Sequence, residues 1–216
     1  MIYLDKITKI YTSNNTRHVL FQDLSFEIPK GHNIAFLGAN GAGKSTLFRL
    51  IAGSEYPTRG KIITDQHISW PVALATGIHS AMTGRENTRF IGRINGVKDL
   101  HAYERKVVDF AKLGKQYDVP VGKYSSGMRS RLAFACSLSI DFDIYLIDEV
   151  TAVGDASFKK RAQQALLERS REANVIMISH QIKELKQFCD SAIVINKGQL
   201  TFYNDINEGI KRYQAL

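Results

Sequence analysis

The residues Gly38-Ala39-Asn40-Gly41-Ala42-Gly43-Lys44-Ser45-Thr46 fit the spacing G-x-x-x-x-G-K-[ST] at every fixed position. Gly38, Gly41 and Gly43 let a backbone wrap closely around a chain of phosphates without Cβ clashes. The N–H groups of such a loop, those of Asn40 and Ala42 included, point at the anion, and the N-terminus of the following helix adds to them. Lys44 is placed to reach the β- and γ-phosphates and the Ser45 hydroxyl to ligate Mg²⁺, while Thr46 completes the phosphate-binding set. A glycine-rich turn with an incidental lysine is the plain alternative. The flanks favour the phosphate loop: Asn33-Ile34-Ala35-Phe36-Leu37 reads as a short buried strand entering it, and Lys44 to Ala52 as a helix leaving it, with Gly53 at the stop.

A second group of chemical residues ends another apolar run, Ile144-Tyr145-Leu146-Ile147-Asp148-Glu149. In α/β proteins the carboxyl ends of parallel strands are where ligands bind. Asp148 there would hold Mg²⁺ through water, and Glu149 would orient and polarise an attacking water as general base. Solvated acids at a strand end are the alternative, which the presence of the phosphate loop weakens. A third group, Tyr124-Ser125-Ser126-Gly127-Met128, stands just before a helical stretch. It reads either as a serine-rich cap or as another anion-binding helix N-terminus.

These residues need a scaffold, and the chain has one to offer. Its 216 residues with 44% hydrophobic content suit one domain with an inserted part. Ile2 to Leu4, Ser25 to Ile28, Ile34 to Leu37, Ile62-Ile63 and Ile68 to Trp70 read as strands broken by Asn14-Asn15 and Pro29-Lys30-Gly31. Gly84 to Leu138 has helical periodicity, which predicts a helical subdomain of about 84–138 inserted between core parts of about 1–83 and 139–216. Strands return at Ile144 to Ile147, Val175 to Ile178 and Ala192 to Ile195. The helical stretch Ser157 to Ala173 between the first two implies a mainly parallel sheet. The net charge of +8 admits an anionic partner, but the basic residues are spread along the chain, as on a solvated surface. Cys136 and Cys189 lie among apolar neighbours and read as buried thiols of a reducing compartment. Met1 leads into no signal-like segment, and no apolar run reaches the ~18 residues of a membrane span.

From Tyr3 to about Gly198, the phosphate loop, the Tyr124 turn, the acidic strand end and a later histidine together resemble the ATP-binding-cassette (ABC) transporter ATPases. The resemblance implies an α/β P-loop fold: a RecA-like core with a mainly parallel sheet, an antiparallel β part and the inserted helical subdomain. It implies ATP and Mg²⁺ as cofactors. Tyr124 to Met128 looks like the signature LSGGQ, with Ser125 and Gly127 matching and Tyr124, Ser126 and Met128 departing. In the family this turn contacts the γ-phosphate held by the opposite subunit of a homodimer. Ala152-Val153-Gly154-Asp155 looks like the D-loop, which puts Asp155 at the dimer seam. His180 matches the switch histidine that reaches the γ-phosphate, and Tyr11, between the first strand segments, matches the aromatic that stacks on adenine; a core tyrosine is the alternative. The usual glutamine between core and insertion is missing from Trp70 to His79.

Ile68 to Val72, Thr83 to Asn87, Tyr124 to Leu132 and Asp148 to Asp155 resemble the polysaccharide-export members, and most closely the capsular polysaccharide exporter ATPases. Relatives that export O-antigen often add a C-terminal sugar-binding domain, for which the residues after Gly198 leave no room. The resemblance implies an ATP-hydrolysing subunit on the cytoplasmic face of the bacterial inner membrane. Its partners would be a separate membrane-spanning permease, a second copy of itself and the transported polysaccharide, and not nucleic acid. The apolar series Val72 to Ala75 with Ile78 is expected to be exposed and to dock the permease. Export of another glycan remains open, as does a soluble ABC-type ATPase. A GTPase would show Asn-Lys-x-Asp, whereas Asn196-Lys197 is followed by Gly198-Gln199.

Overall fold

The computed structural model describes residues 1–13, 16–72, 77–148 and 155–216. Its elements run β1 (Ile2–Ser13), β2 (Thr16–Ile28), β3 (Ile34–Leu37), α1 (Lys44–Ile51) and β4 (Arg59–Thr64). Next come α2 (Gly84–Ile94), α3 (Leu100–Ala111), α4 (Ser126–Leu138), β5 (Ile144–Asp148) and α5 (Ala156–Arg169). The last are β6 (Asn174–Ile178), α6 (Ile182–Phe188), β7 (Ser191–Asn196), β8 (Gln199–Tyr203) and α7 (Ile206–Gln214). The described residues within Met1–Pro71, Phe142–Glu149 and Ser170–Leu216 make one compact unit, and those within Val72–Asp141 and Val150–Arg169 make another.

Two sheets build the first unit. One is antiparallel, in the order β2-β1-β4; the other runs β5-β6-β3-β7-β8, parallel except for the β7–β8 pair. The residues of β3 are all buried, as expected of a parallel strand covered on both faces. Ile2, Leu4, Ile7 and Phe21 of the antiparallel sheet pack into the same core as Phe36, Leu47, Phe48, Leu146 and Ile193. Burial of this apolar surface fixes β3 in the middle of its sheet, and with it the loop that β3 feeds.

Two strand expectations are corrected. Tyr11 lies inside β1, which runs continuously from Ile2 to Ser13, rather than between strand segments. The Ile68 to Trp70 strand is a single parallel bridge from Ile68 to Ile144. The Ser69 N–H makes that bridge, donating to the Ile144 carbonyl at 2.9 Å; beyond it the Ser69 hydroxyl, accepting from the Leu146 N–H at 2.9 Å, takes the place of a backbone acceptor, and Pro71 has no N–H to extend the pairing.

In the second unit, helices α2 to α5 surround a core that includes Tyr103, Val107, Leu132, Phe134 and Phe158. Thr83 and Glu86 start α2 with reciprocal capping bonds of 3.1 and 2.8 Å. The Asn87 side chain, fully buried, donates to the carbonyls of His79, Met82 and Thr83 and accepts from the His79 N–H. Glu104 is also buried and is held by Arg85 and Arg89. Val72 is 3% exposed, so the first member of the apolar series expected on the surface packs inward instead. Residues 73–76 of that series lie outside the described residues.

Candidate nucleotide-binding site

Three strands of the parallel sheet end at one edge, and the candidate residues follow them. Leu37 of β3 leads into the glycine loop, Asp148 ends β5, and Ile178 of β6 is followed by Ser179 and His180. The strand order puts β6 between β5 and β3, with Asp148 paired to Ile178. A cavity of about 650 Å³ opens at this edge, lined by Tyr11, His18, Leu20, Asn40, Gly41, Gly43, Lys44, Ser45, Thr46, Asp148, Ile178 and His180.

The loop's glycines are required by its path. Gly43 has φ 102°, and a Cβ there would stand 2.7 Å from Phe21 Cζ. A Cβ on Gly38 would stand 2.6 Å from the Ile195 carbonyl oxygen. Both positions therefore exclude a side chain. Helix α1 starts at Lys44 without a side-chain cap, so no capping side chain satisfies its first N–H groups. The Lys44 ammonium donates to the Gly38 carbonyl at 2.6 Å and the Ala39 carbonyl at 3.0 Å. Burial pushes its pKa below the ordinary lysine value, opposed by the charge of Asp148. Its positive charge is thus held over the loop, where a phosphate chain can exchange for the two carbonyls.

At the end of β6, Ser179 fixes the turn that carries His180. Its hydroxyl bonds Glu184 Oε2 at 2.5 Å and accepts from the Gln181 N–H at 3.1 Å. Of the residues sequence singled out, Tyr11, Asn40, Gly41, Gly43, Lys44, Ser45, Thr46, Asp148 and His180 line this one cavity. Gly38 and Ala42 belong to the same loop without lining it. Glu149 and residues 150–154 lie outside the described residues.

Ser125, Gly127 and Asp155 belong to the second unit. Ser125 caps α4, accepting from the Met128 N–H at 3.2 Å, and Gly127 lies in the first turn of that helix. Asp155 accepts from the Phe158 N–H at 3.0 Å and the Ser157 hydroxyl at 2.7 Å, and pairs with Arg131 of α4. These contacts, the Phe158 N–H first, lower its pKa to about 2.

Sequence reading missed the residues around Tyr11. Glu55, Lys9 and Arg49 surround its hydroxyl, and His18 faces it across the β1–β2 pair. Only the alternation of Lys9 and Tyr11 along one strand hinted at them.

The donor set suits a nucleotide with a hard metal ion. Among the described residues no cluster of His, Cys, Asp and Glu forms a metal cage of its own. Ser45 and Asp148, both oxygen donors at the cavity wall, match the sparse protein ligation of Mg²⁺, which takes its other ligands from phosphates and water. The arrangement defines a phosphate-gripping nucleotide site of the P-loop class.

The chain belongs to the ABC transporter family, which residues 21–152 match. It is similar to the polysialic acid transport ATP-binding protein KpsT of Escherichia coli, at 47% identity over 99% of this chain and 96% of that protein. It is also similar to the capsule polysaccharide export ATP-binding protein CtrD of Neisseria meningitidis serogroup B, at 42% identity over 100% of both. The fold is that of an ABC ATPase: the dimeric post-hydrolysis structure of the ATP-binding cassette MJ0796, bound to ADP and Pi, shares it with a TM-score of 0.77 at 18% identity, covering 95% of this chain and 99% of that one. No helix among the described residues is long and apolar enough to cross a membrane.

Proposed function

We propose that this chain is the ATP-binding and ATP-hydrolysing subunit of an ABC exporter that drives capsular polysaccharide across the bacterial inner membrane. The observation that carries the reading is the end-to-end similarity to KpsT and CtrD, whose names state polysialic acid transport and capsule polysaccharide export. The cavity supports the nucleotide part. Lys44 and the loop N–H groups hold the phosphates, Tyr11 meets the adenine, and His180 donates a hydrogen bond to the γ-phosphate. Ser45 and Asp148 would hold Mg²⁺, which when bound would spread the charge developing on the transferred phosphoryl group. Glu149 orients the water. Two copies close head to tail, each giving Ser125, Gly127 and Asp155 to the other's nucleotide, so closure depends on ATP and hydrolysis reopens the pair. A separate membrane-spanning permease is engaged at the cytoplasmic face.

The test is complementation. A capsulated bacterium that has lost its own export ATPase receives this chain together with the permease of its own export system, and surface polysaccharide is measured. Surface polysaccharide with the wild-type chain and none with Lys44→Ala supports the reading. Wild-type protein at normal levels, bound to the membrane, that restores no surface polysaccharide rejects capsule as the cargo.

A further inference from the structure

The wall of the nucleotide cavity at Tyr11 is braced by charged residues outside the phosphate motif. Glu55, in the turn after α1, accepts from the Tyr11 hydroxyl at 2.7 Å through Oε1. The same oxygen is 2.7 Å from the Lys9 ammonium, and Oε2 accepts from Arg49 Nε at 2.8 Å. Arg49 also donates from Nη2 to the Tyr11 hydroxyl and to Thr46 Oγ1, both at 3.2 Å. Lys9, which is 9% exposed, lies 5.0 Å above the Tyr11 ring centre and donates to the Tyr56 carbonyl at 2.9 Å. Burial would raise the Glu55 carboxyl's pKa, but Lys9, Arg49 and Tyr11 outweigh it and hold the value at about 2. The carboxylate is therefore ionised at any physiological pH.

We infer that Glu55 is a positioning residue for nucleotide binding: it fixes the Tyr11 ring in the cavity wall by gripping its hydroxyl, with Lys9 covering one ring face. A tyrosine on a strand has more than one staggered χ1 rotamer open to it, and a bond at its far end selects one. Here the far end meets an ionised acceptor, and charge-assisted bonds are the strong kind. The inference rests on the proposed contact between Tyr11 and the base. It predicts that losing Glu55 weakens the grip on the base and spares the grip on the phosphates.

The experiment compares binding of ATP and of inorganic tripolyphosphate, with KM and kcat for ATP, in the wild type, Glu55→Ala, Glu55→Gln, Tyr11→Phe, Tyr11→Ala and the Glu55→Ala/Tyr11→Phe double variant. Glu55→Ala should raise Kd and KM for ATP about tenfold, the scale of one hydrogen bond to a charged group. Its kcat and its affinity for tripolyphosphate should stay within about twofold of wild type, since the transition-state contacts are untouched. Glu55→Gln, which keeps an acceptor without the charge, should fall between. Once Tyr11→Phe has removed the hydroxyl, adding Glu55→Ala should cost less than Glu55→Ala does alone, because part of its effect runs through that bond and the rest through its pairs with Lys9 and Arg49. Unchanged ATP affinity in Glu55→Ala, or an equal loss for tripolyphosphate, overturns the inference. So do additive effects in the double variant. If Tyr11→Ala binds ATP as the wild type does, the base contact itself is refuted. A loss in Tyr11→Ala without one in Glu55→Ala rejects the role of Glu55 alone.

Discussion

Lys44 makes two bonds to the carbonyls of its own loop, at 2.6 and 3.0 Å, and in the proposed function it gives these up for phosphate oxygens. Lys44→Ala should weaken ATP binding by about ten- to a hundredfold, as expected for a charge-assisted contact; titration calorimetry measures it. His180 stands at the cavity wall on a turn fixed by Ser179 and Glu184. His180→Ala should lower turnover about a hundredfold, the scale of one lost transition-state donor, while ADP affinity stays near wild type. A collapse of ADP affinity in that variant would contradict its role as a γ-phosphate sensor. The residues from Gly38 to Thr46 were legible because their chemistry is local: one loop, one spacing, one ligand. Glu55, Lys9 and Arg49 were not. Lys9 shares a strand face with Tyr11 at a spacing of two, but Glu55 and Arg49 meet it only through the folding of β1 against α1 and the turn after it, and no spacing along the chain encodes that meeting.

Among the elements, those with strong periodicity or a sharp punctuation mark were readable. β3 and α1 flank a motif, β5 and β6 are short apolar runs, and the helical periodicity read from Gly84 starts where α2 does. β1 extends to Ser13 through residues such as Lys6, Lys9 and Thr12, whose polarity hides a strand; its pairing with β2 carries register shifts between Leu4 and Ile10. The C-terminal β8 and α7 carry weaker patterns and were not foreseen. The helical unit hangs on buried polar groups. Asn87→Leu leaves the carbonyls of His79, Met82 and Thr83 without their donor and should cost about 2–4 kcal/mol, read from the denaturant midpoint. Asp155 predicts a pH dependence. Its pKa is lowered in the fold from an ordinary 3.8 to about 2, so its stabilising contribution is complete above pH 3.8 and fades as pH falls toward 2. Asp155→Asn should therefore flatten the acid limb of the stability profile between those values and change little near neutrality.

At the scale of the whole molecule, one chain offers a phosphate loop in its first unit and a Ser125–Gly127 turn in its second. The proposed function joins them only across two copies. A form that binds ATP without turning it over, Glu149→Gln, should accumulate as a dimer with ATP and return to monomer with ADP, by light scattering. Replacing Ser125 with a bulky residue in that background should keep it monomeric. The family was legible in the sequence because its motifs are spread over most of the chain, and the similarity to KpsT and CtrD extends end to end. The central claim is that the cavity at the edge of the parallel sheet hydrolyses ATP. Steady-state phosphate release at saturating Mg²⁺ and ATP tests it most directly. Wild-type protein should release phosphate only when Mg²⁺ is present, and Glu149→Gln should bind ATP yet release phosphate at least about a hundredfold more slowly, the loss expected of an essential general base. Equal rates for wild type and Glu149→Gln, or release that persists after Lys44→Ala, would contradict the account.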